Sequence, residues 1–164
     1  MIVDILAFVR VLGEAGVDYI IIGGVAANIH GAARTTLDID VVYGRSAPNV
    51  ERLAVALAPY QPYLRGAPPG LPFSFDAPTI NRGLNFTLTT ALGDIDFLGE
   101  VAGGGGFEQL LPHAEAVQLE GHRCLVVNLP TLIALKRAAG RGKDREALAE
   151  LEALLEERDG RIGR

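Results

Sequence analysis

With a single cysteine, Cys124, the chain cannot build an internal disulfide framework, and the apolar run around that residue reads as the home of a small buried hydrophobe. No apolar stretch approaches the roughly 20 residues that a membrane-spanning helix needs. The N-terminus shows no basic region followed by a continuous apolar core, so no signal peptide is expected and the default expectation is a cytoplasmic protein. Excess positive charge is also missing. Fifteen Lys+Arg stand against 20 Asp+Glu, and the net charge of −5 argues against the broad basic surface that grips long nucleic acid. Gly103 to Gly106 is not followed by a Lys-Ser/Thr pair, which excludes the P-loop mechanism and leaves a mobile connector. There is no Gly-x-Ser-x-Gly and no cysteine–histidine signature, and His113 and His122 lack partners at metal-ligand spacing.

A length of 164 residues with 49% hydrophobic content fits one domain with a real core, spanning 1–164 without internal repeats. Its most telling stretch is Tyr19 to Tyr43: an apolar strand, the turn Gly23-Gly24, a short helix of small residues, and a second strand opening Asp38-Ile39-Asp40. Side chains alternate across a strand, so Asp38 and Asp40 point to the same side. Carboxylates that close repel each other unless a cation sits between them, and an all-oxygen ligand set suits Mg²⁺ or Mn²⁺. A Gly-Gly turn before a helix offers backbone N–H groups to phosphate. Divalent metal and phosphate together point to phosphoryl or nucleotidyl transfer.

These residues resemble the nucleotidyltransferase superfamily that includes DNA polymerase β, in which an apolar strand ends in Gly-Gly or Gly-Ser and a spacer leads to Asp-hydrophobic-Asp. Gly23-Gly24, the spacer 25–37 and Asp38-Ile39-Asp40-Val41 carry the likeness. His30-Gly31 followed by Arg34-x-Thr36-x-Asp38-x-Asp40 is similar to the small stand-alone prokaryotic members, including those of toxin–antitoxin and abortive-infection systems. Gly93-Asp94-Ile95-Asp96 and the C-terminal Lys136…Arg141-x-Lys143-Asp144 extend the likeness more loosely. One departure stands out: many active members have Ser where Gly24 stands, whose hydroxyl helps bind phosphate, whereas Gly24 offers only its N–H.

Periodicity and punctuation predict a helix over 3–14, a buried strand over 19–22, a short helix over 25–29 capped at Gly31, and a strand over 37–43. Ser46-Ala47-Pro48 opens a helix whose inner face is Val50, Leu53 and Leu57, and Pro59 stops it. From Pro59 to Pro78 the chain is rich in proline and aromatics and reads as irregular or edge structure, either covering the site opposite the carboxylates or merely connecting. Hairpins follow at 84–90 with 95–101, and at 116–119 with 124–128. Helices over 130–139 and 143–157 close the chain, with 159–164 read as a fraying tail. The expected fold is α/β (α+β): a mixed sheet flanked by helices, the palm-like nucleotidyltransferase fold that the resemblance implies.

Asp96 is the preferred third carboxylate because apolar Phe97 and Leu98 follow it, as apolar residues follow Asp40; Asp94 shares its face but lies beside the turn. By resemblance, Asp38, Asp40 and Asp96 are the metal ligands, Asp96 also assisting removal of the acceptor proton. Gly23, Gly24, Arg34, Thr36 and Lys136 are the nucleotide-binding set. Arg34 reads equally as a structural ion pair with Asp38 or Asp40. The cluster Lys136, Arg137, Arg141, Lys143 and Arg145 reads either as a solvated helix face or as phosphate-facing. His30 reads as a helix-end residue ahead of a catalytic base. The implied activity is metal-dependent transfer of a nucleoside monophosphate from a nucleoside triphosphate to an acceptor hydroxyl of RNA, protein or a small molecule, with Mg²⁺ or Mn²⁺ as cofactor. The alternative is a non-catalytic or antitoxin-like member acting on a cognate protein partner or by nucleotide binding.

Overall fold

A computed structural model describes residues 2–140 and 145–162; Arg141, Lys143 and Asp144 lie outside the described residues. Seven strands form one mixed sheet: β1 (Tyr19–Ile22), β2 (Asp38–Tyr43), β3 (Tyr63–Leu64), β4 (Asn85–Thr90), β5 (Gly93–Leu98), β6 (Ala114–Leu119) and β7 (His122–Val127). Their order is β3-β4-β5-β2-β1-β7-β6. β1 pairs antiparallel with β2 and parallel with β7, and β2 pairs parallel with β5. The remaining neighbours are antiparallel, including the two hairpins that the alternating patterns predict. The helices are α1 (Ile5–Glu14), α2 (Gly23–Ile29), α3 (Ala47–Leu57), α4 (Ala77–Arg82), α5 (Phe107–Leu110), α6 (Leu129–Ala139) and α7 (Arg145–Ile162).

One face of the sheet is apolar at its centre. Tyr19, Ile21, Ile39, Val41, Tyr43, Ile95 and Phe97 are all buried there, and Phe8 of α1 meets both Tyr19 and Phe97 edge-on or tilted. Asp4 caps α1 through Ala7 N–H at 3.0 Å, Ser46 caps α3 and Asn128 caps α6. Asn49 of α3 is fully buried and bonds three backbone groups in two segments: its Nδ2 donates to Asp18 O and Gly44 O, and its Oδ1 accepts from Asp18 N–H at 2.7 Å. The other face carries buried Ile20 and Val42 under the α2–α6 side, then emerges at Asp40 and Asp38 where the helices stop covering it.

The structure departs from the sequence reading in four places. The 59–78 segment holds the edge strand β3, as its composition allows, but it ends by starting a helix, α4, at Asp76-Ala77-Pro78, capped by Asp76 on Thr79 N–H. Gly103 to Gly106 is a tight turn rather than a loose connector. Val101 bridges Gly105, and β-carbons on Gly103 and Gly104 would lie 2.6 Å from Ala138 and Leu135 of α6. The last helix continues to Ile162, past the expected end at Glu157, because Arg158 donates to His30 O at 3.0 Å and anchors that turn. Arg34 pairs with Glu150 of α7 instead of with Asp38 or Asp40.

Candidate active site

The register of β2 against β5 sets Asp38 beside Asp94 and Asp40 beside Asp96. All four carboxylates therefore share the uncovered face of the sheet. One oxygen from each of Asp38, Asp40 and Asp96 lies within 4.8 Å of the others, the spread that a divalent cation site needs, and among the described residues this is the one such cluster. Asp94 is outside it and turns to Arg65. Across β1, Ile22 is the register partner of Asp40, so the Gly23-Gly24 turn stands at the edge of the carboxylates.

Gly23 is required there on two counts. Its φ of +67° is one that side-chain-bearing residues rarely adopt, and a β-carbon on it would lie 2.2 Å from Asp40 Oδ2. Gly93, in the hairpin before Asp94, is held similarly: its φ is +112° and a β-carbon would lie 2.5 Å from the Val3 backbone. The glycines of both motifs thus set how close the backbone comes to the acidic strands. Gly24 is closed on its other side by Thr36, whose Cγ2 would lie 2.6 Å from a Gly24 β-carbon.

Charge in the cluster is only partly compensated. Burial, the hydrogen bond with Asp96 and the negative charges of Asp38 and Asp96 push Asp40 up to about 8. Asp38 is also raised, first by burial and then by the charge of Asp96, against the opposing pull of Arg65. Asp96 Oδ1 is buried without a hydrogen-bond partner, although Arg65 Nη2 stands 3.0 Å away in a poorly aligned ion pair. A donor set of carboxylate oxygens only, one held protonated near neutrality and another left without a hydrogen bond, fits a hard divalent cation.

Sequence reasoning missed Arg65. It follows β3 directly, donates its backbone N–H to Thr87 O at 3.0 Å, and reaches over β4 to face Asp38, Asp94 and Asp96 at 3.7, 3.4 and 3.0 Å. A signal was present: Arg65 is the lone charged residue between Arg52 and Asp76, in a segment otherwise made of apolar and turn residues.

Arg34 and Lys136 flank the other side of the glycine turn. Both line a small cleft with Gly23, Gly24 and Glu150. Arg34 Nε meets Glu150 at 2.9 Å, and the same carboxylate accepts from Ala33 N–H at 3.0 Å. Lys136 is half-buried one turn after Leu132, whereas Arg137 is largely exposed and paired with Glu152. His30 is buried, with Nε2 2.7 Å from Val127 O and Nδ1 3.1 Å from Arg158 Nη2. That pattern fits a neutral ring donating from Nε2 and accepting at Nδ1, a structural residue tying α7 to the end of α2. A larger cavity of about 560 Å³ lies elsewhere, between α3 and residues 73–78, and none of the four carboxylates lines it.

The sheet order and the helices around it define a mixed α/β fold whose neighbouring strands β2 and β5 carry the carboxylates. Among solved structures, the crystal structure of a "putative nucleotidyltransferase" from Thermotoga maritima superposes with a TM-score of 0.58 over 92% of this chain and 94% of that one, at 13% sequence identity. No protein-family model and no curated protein sequence matches the chain. At that identity the likeness lies in the fold, and the site must be argued from this chain's own residues.

Proposed function

We propose that this chain is a metal-dependent nucleotidyltransferase that moves a nucleoside monophosphate from a nucleoside triphosphate onto an acceptor hydroxyl. The observation that carries the reading is the convergence of Asp38, Asp40 and Asp96 beside the Gly23-Gly24 turn on this fold. Asp38 and Asp40 would hold Mg²⁺ or Mn²⁺, with Asp96 as the third ligand. Bound there, the metal would supply electrostatic stabilisation of charge on the phosphate oxygens.

The chain's own residues do the positioning. The backbone N–H groups of Gly23 and Gly24 and the side chains of Thr36 and Lys136 hold the β- and γ-phosphates, and Arg34 joins them by exchanging Glu150 for phosphate. Asp96 accepts the proton of the acceptor hydroxyl. The hydroxyl oxygen then bonds to the α-phosphorus, the bond from that phosphorus to the bridging oxygen breaks, and pyrophosphate departs. Orientation and fixed charge are the main contributions of the protein. The segment Arg34-x-Thr36-x-Asp38-x-Asp40 places the chain, on this reading, with the small stand-alone members of toxin–antitoxin and abortive-infection systems, with RNA, protein or a small molecule as acceptor.

One observation favours a second reading. Thr36 fills the space that a Ser hydroxyl at position 24 would need, which favours a fold-retaining member that binds nucleotide or a cognate protein without transfer. The test is incubation with α-labelled nucleoside triphosphates, Mg²⁺ or Mn²⁺, and cell-extract RNA, protein and small molecules. The transferase reading expects label on one acceptor class with pyrophosphate release, both lost in Asp38→Asn. A triphosphate-dependent rise in melting temperature without release supports the second reading.

A further inference from the structure

We propose that Arg65 takes the place of one divalent cation in the carboxylate cluster, so that the chain without nucleotide binds a single ion between Asp38 and Asp40. This rests on the metal-dependent reading above.

Arg65 is built into the site. Its backbone N–H is fixed to Thr87 O and its Nη2 donates to Leu88 O at 2.9 Å, so the guanidinium is held from the β4 side. Its side chain is only 27% exposed, and all its ion pairs among the described residues run to Asp38, Asp94 and Asp96. The cluster is thereby divided. Asp96 and Asp94 lie nearest the guanidinium, at 3.0 and 3.4 Å, Asp38 stands at its margin at 3.7 Å, and Asp40 has no ion pair to it and faces Gly23. An ion entering on the Asp40 side has carboxylate oxygens to meet. An ion entering on the Asp96 side meets a fixed positive charge within a few ångströms, a like-charge contact that opposes its binding. A guanidinium cannot lose its proton to relieve that contact.

The experiment is titration of the full chain with Mn²⁺ alone, read by calorimetry and by the electron paramagnetic resonance of free Mn²⁺, for the parent, Arg65→Met, Arg65→Gln, Arg65→Lys and Asp40→Asn. The expected result is one Mn²⁺ per parent chain and a second in Arg65→Met and Arg65→Gln, or an affinity on the order of tenfold higher. Arg65→Lys, which keeps the charge, should stay at one. Neutral variants that fold, by circular dichroism, yet match the parent in number and affinity overturn the proposal, as does a parent that binds two ions or an Arg65→Lys that binds two. A parent ion that is lost in Asp40→Asn, with Arg65→Met unchanged, overturns this proposal and leaves the metal reading standing. A parent that binds no Mn²⁺ overturns both.

Discussion

Gly24 and Thr36 compete for the same space: a β-carbon on Gly24 would come within 2.6 Å of Thr36 Cγ2. The glycine is therefore coupled to a residue twelve positions on, and the missing Ser hydroxyl cannot simply be restored. Gly24→Ser should cost about 1–3 kcal/mol, the usual range for overpacking, because a β-branched neighbour has little rotamer freedom to yield. Thr36→Ser removes Cγ2, and adding it to Gly24→Ser should recover most of that loss. Urea unfolding of the two single variants and the double checks the coupling. Simple additivity would mean that Thr36 turns aside freely.

The acidic cluster makes stability depend on pH in a stated direction. Asp40 has its folded pKa raised to about 8, from an ordinary value of 3.8. Between those values the folded chain binds more protons than the unfolded one, so stability is greatest at the acid end and falls as pH rises. The slope from this group is at most about 1.4 kcal/mol per pH unit. Above about 8 it levels off. Asp40→Asn should flatten the profile and stabilise the metal-free protein near neutrality. Denaturation at pH 5, 6.5 and 8 with a chelator present reads it. Mn²⁺ added at pH 6.5 should displace about one proton per chain, measured by calorimetry in buffers of different ionisation enthalpy.

Local chemistry made the centre of the site legible in the sequence. Strand alternation put Asp38 and Asp40 on one side, and the apolar residues after Asp96 predicted a buried strand with an acidic start; the structure brings all three together. Ser46-Ala47-Pro48 marked the start of α3, and the expected 130–139 helix lies within one residue of α6. What the sequence hid depends on long-range pairing. Arg65 reaches the site only because β3 joins the sheet two strands away from β5, and two residues of strand carry no periodicity to read. The Arg34–Glu150 pair spans 116 positions, so spacing near Asp38 pointed to the nearer carboxylates instead. Gly103 to Gly106 reads as a loose linker until α6 packs on it.

Asn49 provides a test of the fold apart from the site. It is fully buried and satisfies Asp18 N–H, Asp18 O and Gly44 O, joining α3 to the far ends of β1 and β2. Asn49→Ala removes the partner of Asp18 N–H and of Gly44 O, while Asp18 O keeps Gly44 N–H at 3.0 Å, and should destabilise by about 2–4 kcal/mol. The site lies at the other end of both strands, so Mn²⁺ affinity of the folded protein should be unchanged. Chemical denaturation gives the first quantity and titration below the unfolding transition the second.

Lys136 and Arg34 flank the same glycine turn but should answer differently to substitution. Arg34 is held by Glu150, a partly exposed pair of the kind worth about 0.2–1 kcal/mol. It must exchange that partner to reach a phosphate, so part of any gain offsets the broken pair. Lys136 emerges from the buried Leu132–Ile133 face of α6 into the cleft beside Gly23 and Gly24. Its half-buried side chain lines that cleft together with the two glycines. Lys136→Met keeps the stem and removes the charge. It should weaken binding of a Mg²⁺–triphosphate by about 1–3 kcal/mol, the range for charge-assisted hydrogen bonds. Arg34→Met should weaken it too, by an amount that the broken Glu150 pair reduces, and its effect should grow when Glu150→Gln is already present. Titration calorimetry with a non-hydrolysable triphosphate decides between them. Equal affinity for Lys136→Met and the parent would make the lysine scaffold, and an Arg34→Met loss that Glu150→Gln leaves unchanged would mean that the pair does not compete with phosphate.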